Sequence, residues 1–159
     1  MTDSIPFQDD LADAAARRDA LDPERSFIVQ APAGSGKTSL LVNRVLRLLA
    51  TVDEPEEILG ITFTRKAAEE MRSRIVAALR EAAEDPEPGE SADRVRWHAA
   101  RLALARDRER GWQLARHPNR LRAQTIDSFC NRLAAQLPVL SGFGTPPAAT
   151  EDARPLYRE

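Results

Sequence analysis

Apolar and polar positions along this chain follow two rhythms. Ser26-Phe27-Ile28-Val29 is a short apolar run that predicts a buried parallel strand and is too short for a helix. Ala31-Pro32-Ala33-Gly34-Ser35-Gly36 cannot continue it, because a proline and two glycines break the pattern. From Lys37 the rhythm is helical, with Leu41, Val45, Leu48 and Leu49 on one face. Thr51–Glu57 is a charged connection containing Pro55, and Ile58-Leu59-Gly60-Ile61-Thr62-Phe63 reads as a second buried strand. A helix opens at Thr64 or Arg65 and runs to about Ala83, with Ala67, Met71, Ile75, Ala78, Leu79 and Ala82 on one stripe. Asp85-Pro86-Glu87-Pro88-Gly89 ends it in an exposed loop.

Ser91 then caps an Arg/Ala-rich helix reaching about Arg106, with Val95, Ala99 and Leu102 inward. Trp97 and Trp112 read as packing anchors, and His98 and His117 as surface residues without partners at ligand spacing. A short helix is expected around Gly111–Arg116, before His117-Pro118. Leu121–Thr125 reads as a third strand interrupted by arginines, followed by an amphipathic helix carrying Ile126, Phe129, Cys130, Leu133 and Leu137. Residues 1–25 are acidic and alanine-rich, with Leu11, Ala15 and Ala16 suggesting a short helix before the Asp22-Pro23 turn. Pro138–Glu159 carries no regular pattern. Strands alternating with helices predict an α/β domain with a parallel sheet under helical cover. Two or three strands are few for such a sheet.

The glycine loop brings in chemistry. Its glycines let backbone N–H groups turn inward toward an anion, and the following helix presents its positive dipole end to the same point. In such a loop Lys37 supplies a mobile charge for the β- and γ-phosphates of a nucleotide, and the Thr38 hydroxyl is placed to coordinate Mg²⁺. Ala31, Pro32, Ala33, Gly34, Ser35 and Gly36 form the cradle. Ala31 stands where the strict pattern GxxxxGK[ST] has its first glycine. Strand, glycine loop and helix in this order make nucleotide binding the expected function.

Composition adds limits. The 159 residues suit one domain, and 42% hydrophobic content excludes wholesale disorder. No apolar run is long enough to span a bilayer, and no signal peptide is evident at the N-terminus. The single cysteine, Cys130, has no internal disulfide partner, which fits a cytoplasmic setting, and reads as a small core residue. Net charge is only −2, yet the first 24 residues carry seven acids against two arginines, and Ser91 to Arg132 carries ten arginines against four acids. That second stretch suits either an anionic polymer or a solvated helical face. Lys37 and Lys66 are the only lysines among 23 basic residues, and both fall within motif-like stretches.

Three segments in order carry a family resemblance. FIVQAPAGSGKTSLLVNRV resembles the first motif of superfamily 1 DNA helicases of the UvrD/RecB/AddA type, in which alanine commonly takes the first loop position. ILGITFTRKAAEEMRSRI is similar to motif Ia, and RAQTIDSFCNRLAAQLPVLSGFG to motif Ib and the helix after it. The resemblance spans roughly Ser26 to Gly144. It implies an acidic lead-in over 1–25, part of a RecA-like P-loop domain over 26–144 with an Arg-rich helical insertion at about 91–117, and an irregular tail over 145–159. The Asp22-Pro23 entry and Leu140–Gly144 lean toward the RecB/AddA branch.

By the same resemblance ATP and Mg²⁺ are the cofactors, and single-stranded or broken-end DNA is the partner. Other subunits of a helicase–nuclease complex are possible partners. Thr62, Phe63, Thr64, Arg65 and Lys66 match the DNA-contacting region of motif Ia, and Thr125 and Ser128 that of motif Ib. There Asp127 replaces the family's usual histidine, and an acid beside a phosphate repels it. Relatives read adenine with an upstream glutamine, where this chain has Gln8, poorly spaced, and Arg17-Arg18 nearer the place. Between Gly144 and Glu159 no acidic motif follows an apolar strand, so the acid that holds Mg²⁺ and the second domain's arginines are both expected to be missing. The expected protein is therefore the N-terminal ATP-binding part of a DNA helicase of recombination and repair, translocating 3′ to 5′ by analogy, and unable to turn over ATP alone. The alternative is a stand-alone, non-catalytic nucleotide- or DNA-binding module. A small P-loop kinase is disfavoured, because no acceptor site or lid arginines are evident.

Overall fold

The computed structural model describes residues 13–32, 34–89 and 91–136. Expectations for Gln8, Leu11, Ala33, Leu137 and 138–159 lie outside these residues. The chain divides into two compact units, Met1–Gln124 and Thr125–Glu159. In order, the elements are α1 (Ala14–Asp19), α2 (Lys37–Leu49), β1 (Leu59–Thr62), α3 (Arg65–Glu84), α4 (Ser91–Arg110), β2 (Arg122–Thr125) and α5 (Ile126–Gln136). Single 3-10 turns at Pro55–Glu57 and Pro118–Arg120 precede the two strands. The strands pair in one small parallel sheet, compatible with part of an α/β helicase domain.

The core lies mainly between helices. Val42, Leu46 and Leu49 of α2 are buried, and Val45 packs against them. These positions follow i, i+4, i+7; of the stripe expected at Leu41, Val45, Leu48 and Leu49, Leu49 is buried and Val45 packs on the core, whereas Leu48 is only half-buried. Leu41 is 46% exposed. On α3 the buried set is Ala68, Met71, Ile75, Ala78, Leu79 and Ala82, with Ala68 in the place expected for Ala67. On α4 Val95, Ala99, Ala100 and Ala103 are buried, whereas Leu102 is only half-buried. Alanines on both α3 and α4 let the two helix backbones come close.

Three further expectations change. Residues 26–31 form no regular element and pair with no strand among the described residues, and Ile28 is 99% exposed. An apolar run becomes a ladder only where a neighbour supplies hydrogen bonds. In β1, Leu59 and Ile61 are 40% and 49% exposed, so this strand is covered on one face only. The covered side passes Gly60 over α3, where an added Cβ would stand 3.1 Å from Met71 Sδ. Finally, α4 runs to Arg110 and the segment 111–116 is a turn. Gly111 and Gln113 have φ of 69° and 56°, a left-handed backbone that stops the helix. The turn seats Trp112 and Leu114 in the core, with the Leu114 amide donating to Asp107 Oδ1 at 3.0 Å.

The arginines of α4 act largely as clamps. Arg94 pairs with Glu87, Arg96 with Glu81 and Asp93, and both Arg106 and Arg110 with Asp53. Arg106 also donates to the Val52 carbonyl and Arg101 to that of Ala82. Trp97 packs partly against the core, donates to the Asp85 carbonyl and lies under the Arg101 guanidinium. His98 has a partner after all, since its Nε2 lies 3.2 Å from Glu87 Oε1. Arg120 donates to Glu56 through two bonds of 2.7 and 2.9 Å, and to Glu54 at 2.6 Å. The Arg120 hydrogen bond holds the Glu56 carboxyl below its usual range.

In α5 no described residue is buried: Ile126 is 54% and Leu133 44% exposed, and Cys130, expected in a core, is exposed. Eleven residues of amphipathic helix cannot bury their own apolar stripe. Among the described residues no helix is long and apolar enough to cross a membrane.

Packing and charge can be tested separately. Leu46→Ala should cost about 2–5 kcal/mol in urea denaturation, whereas Leu41→Ala should cost under about 1 kcal/mol because its side chain is half in water. Glu56 has a depressed folded pKa, so its contribution is present above the ordinary carboxylate pKa and fades as pH falls through the folded value. Arg120→Met should therefore lower the melting temperature at pH 7, by the equivalent of about 1–2 kcal/mol. The two proteins should converge in melting temperature as the carboxyls protonate, below about pH 4.

Candidate functional site

The turn from the irregular segment 26–32 into α2 is built by glycine. Gly34 and Gly36 have φ of 77° and 79°, where side-chain-bearing residues are strained. Gly36 is the N-cap of α2 and provides no side chain to cap it. The first N–H groups of α2 therefore have no capping side chain, which is the general condition for attracting an anion. Lys37 opens α2, and its ammonium donates to the carbonyls of Ala31 and Pro32 at 2.6 and 2.5 Å. Ser35 is tied into the same turn, its hydroxyl donating to the Pro32 carbonyl at 2.7 Å. Thr38 is exposed beside Lys37.

Two arginines fix the lead-in against the loop: Arg17, which the sequence reading placed near the adenine-reading position, and Arg44, which it did not assign to the site. Arg44 of α2 donates to the carbonyls of Ala20, Asp22 and Arg25 at 2.6, 2.9 and 2.7 Å. Together with Arg25 it also flanks the Phe27 ring, the two guanidiniums lying 5.3 and 5.1 Å from its centroid. Arg17 of α1 joins Asp13 Oδ2 at 2.8 Å and donates through Nη2 to the Ser35 carbonyl at 2.8 Å. The i, i+4 spacing of Asp13 and Arg17 was the available signal for their pair. Between α1, segment 26–32 and the loop lies a cavity of about 340 Å³, whose lining includes Asp13, Arg17, Phe27, Val29, Ser35 and Lys37.

The second group of candidates sits where β1 hands over to α3. Thr62 donates to the Thr64 carbonyl at 2.9 Å, and the Thr64 hydroxyl caps α3 by accepting from the Ala67 amide at 3.1 Å. Phe63 is 94% exposed, unlike the burial expected at the end of the second apolar run. Arg65 and Lys66 are exposed in the first turn of α3. In the other compact unit, Thr125 plays the capping part for α5. It is buried, its hydroxyl is 2.8 Å from Ser128 Oγ, and it accepts from the Ser128 amide at 3.2 Å. Asp127 is exposed in the first turn of α5. Among the described residues, no three His, Cys, Asp or Glu side chains cluster as a metal site.

Among the described residues, five helices and a small parallel sheet are compatible with part of an α/β helicase domain. Residues 12–149 match the UvrD/REP helicase N-terminal domain, and the chain belongs to that family. Similar proteins include the ATP-dependent helicase/nuclease AddA subunit of Lactobacillus helveticus, 50% identical over 58 residues, or 36% of this chain and 5% of that protein. The protein of the same name from Moorella thermoacetica is 46% identical over 83 residues, half of this chain and 6% of the relative. That of Limosilactobacillus reuteri is 40% identical over 85 residues, 53% of this chain and 6% of the relative. The matched segments thus cover only about a twentieth of the length of these relatives. No solved structure matches the chain.

The β1–α3 junction separates cap from exposed ring. Thr64→Ala should cost about 1 kcal/mol of unfolding free energy by removing the α3 cap. Phe63→Ala should leave it within about 0.5 kcal/mol, since that ring is in water. Urea denaturation of both variants checks the contrast.

Proposed function

We propose that this chain is the N-terminal ATP-binding part of an AddA-type ATP-dependent DNA helicase of recombination and repair. The observation that carries the reading is Lys37 at the start of α2, behind the left-handed turns of Gly34 and Gly36, in a member of the UvrD/REP family. In this reading Ala31, Pro32, Ala33, Gly34, Ser35 and Gly36 cradle the phosphates of ATP through backbone groups. Lys37 leaves the Ala31 and Pro32 carbonyls to neutralise the β- and γ-phosphates, and Thr38 holds Mg²⁺. Bound Mg²⁺ supplies charge stabilisation at the phosphates.

Thr62, Phe63, Thr64, Arg65 and Lys66 then meet single-stranded DNA, with Phe63 stacking on a base and backbone and basic groups meeting phosphates. Thr125 and Ser128 are the further candidates. Because the Thr64 and Thr125 hydroxyls cap helices, their contribution to such contacts falls to the neighbouring backbone N–H groups. The chain alone binds MgATP without turning it over, because an acid for Mg²⁺ and water and the arginines of a second domain are not among its motifs. Its partners in the cell are DNA ends and the other subunits of a helicase–nuclease assembly, and its setting is the cytoplasm.

Calorimetric titration of the full chain with MgATP tests the reading. Lys37→Ala should weaken binding at least about tenfold while the protein still melts cooperatively. Equal affinity in both proteins would overturn the assignment of the loop, and ATP turnover lost in Lys37→Ala would overturn the non-hydrolysing reading. Phe63→Ala should reduce single-stranded DNA affinity by the equivalent of about 1–3 kcal/mol.

A further inference from the structure

The peptide unit joining Ser35 to Gly36 is gripped from outside the glycine loop. Arg17 Nη2 donates to the Ser35 carbonyl at 2.8 Å, and Nη1 of the same guanidinium would stand 3.4 Å from a Cβ added at Gly36. The guanidinium therefore lies along this peptide. Its Nε edge is taken by Asp13, the N-cap residue of α1, whose Oδ2 accepts at 2.8 Å. An exposed i, i+4 ion pair by itself fixes neither partner. This guanidinium is bound at two edges, to that carboxylate and to a carbonyl 18 residues away, and has little freedom left.

A trans peptide sets its C=O and N–H on opposite sides, and none of the described peptide bonds is cis. Holding the Ser35 oxygen against Arg17 thus turns the Gly36 N–H away from Arg17. Among the described residues that N–H has no hydrogen-bond partner. Ser35 is tied on its other side, its amide and hydroxyl donating to the Pro32 carbonyl at 3.4 and 2.7 Å. Turning the peptide plane over changes only ψ of Ser35 and φ of Gly36, and glycine accepts either sign of φ, including the 79° found here. In the flipped state a carbonyl oxygen would stand in place of the amide, its dipole opposed to an anion. The backbone alone does not prevent that flip; the bond to Arg17 does.

We infer that Arg17 is a positioning residue of the phosphate loop: by gripping the Ser35 carbonyl it locks the Ser35–Gly36 peptide with the Gly36 N–H toward the bound phosphate. This role rests on the nucleotide reading of the loop. Arg17 acts through the backbone, so its effect falls on the polyphosphate and is indifferent to the base.

The test follows the backbone amides of the full chain by proton–nitrogen correlation NMR during titration with magnesium tripolyphosphate, which carries no base. In the unmodified chain the Gly36 amide proton should move downfield at saturation, together with those of Lys37 and Thr38. That measurement needs no variant, and a Gly36 amide that stays in place while its two neighbours move overturns the proposal. Arg17→Met should bind about tenfold more weakly and, once saturated, show a smaller Gly36 shift than the unmodified chain. If Arg17 contributed charge alone, affinity would fall while the saturated Gly36 shift stayed unchanged, and that outcome overturns the clamp. Arg17→Lys keeps the charge without the planar fork and should behave like Arg17→Met; affinity and shift equal to those of the unmodified chain would overturn the clamp as well. Tripolyphosphate that moves none of the three amides and binds Lys37→Ala equally well removes the nucleotide reading itself. Movement of Lys37 and Thr38 alone leaves that reading and removes only the role of Arg17.

Discussion

Everything in the larger unit depends on the burial of one face of α2 against α3 and α4. Leu46 and Leu49 are fully buried there, beside Ile75 and Leu79 of α3 and the small side chains Ala99, Ala100 and Ala103 of α4. A two-stranded sheet alone is marginal in water, so β1 and β2 gain their order from helices packed on them. Burying a Leu or Ile side chain contributes about 1.5–3 kcal/mol. The four such residues in the α2–α3 contact therefore outweigh the short ladder. Because α2 begins at Lys37, the packing that stabilises the unit also fixes where the glycine loop ends.

The lead-in is held by a different kind of interaction. Among its described residues few side chains are buried, with Ala14, Ala20 and Leu21 the apolar exceptions. Its position comes instead from cations donating to backbone carbonyls: Arg44 to three of them before segment 26–32, and Arg17 to Ser35 beyond it. Hydrogen bonds from a charged donor are each worth about 1.5–3 kcal/mol, less where water competes. A carbonyl-anchored segment holds its backbone in register while leaving its side chains free, which is what a wall of a ligand cavity requires.

The sequence made the element order and much of the packing legible. Helix α3 declared itself through a 3.6-residue stripe of six apolar positions, five of which are buried, and the two strands appeared within a residue or two of their observed ends. The α2 stripe was only half right, with Leu49 and Val45 on the core but Leu41 exposed, because Leu40, Leu41, Val42, Val45, Leu46, Leu48 and Leu49 spread over a wide arc, and periodicity cannot select the packed third of it. Turn 111–116 was read as helical because Leu114 and Trp112 are apolar; their burial comes from a left-handed turn that Gly111 permits and Gln113 shares. The run Phe27–Val29 looked like a strand because composition reports β-propensity, whereas a ladder needs a neighbour. At the candidate site, the glycine loop was legible from its residues. The arginine-to-carbonyl bonds were not, since Arg17 and Arg44 find partners 18 to 24 residues away that no local pattern encodes.

The two motif junctions share one local solution. Thr64 and Thr125 each follow or end a strand, and each accepts from the amide three residues on, Ala67 in one and Ser128 in the other. Threonine suits both tasks: its branched Cβ favours the extended backbone of a strand end, and its hydroxyl satisfies an orphan amide of the helix that follows. A motif threonine at such a junction therefore has a structural reason to be there, independent of any ligand. What the cap leaves outward is different at the two places. After β1 the neighbours are an exposed ring, Phe63, and two cations, Arg65 and Lys66; after β2 an acid, Asp127, stands in the first turn. The same backbone turn thus presents a surface suited to a polyanion at the first junction and a surface opposed to it at the second. Any difference in anion attraction between the two junctions follows from those flanking side chains and not from the threonines.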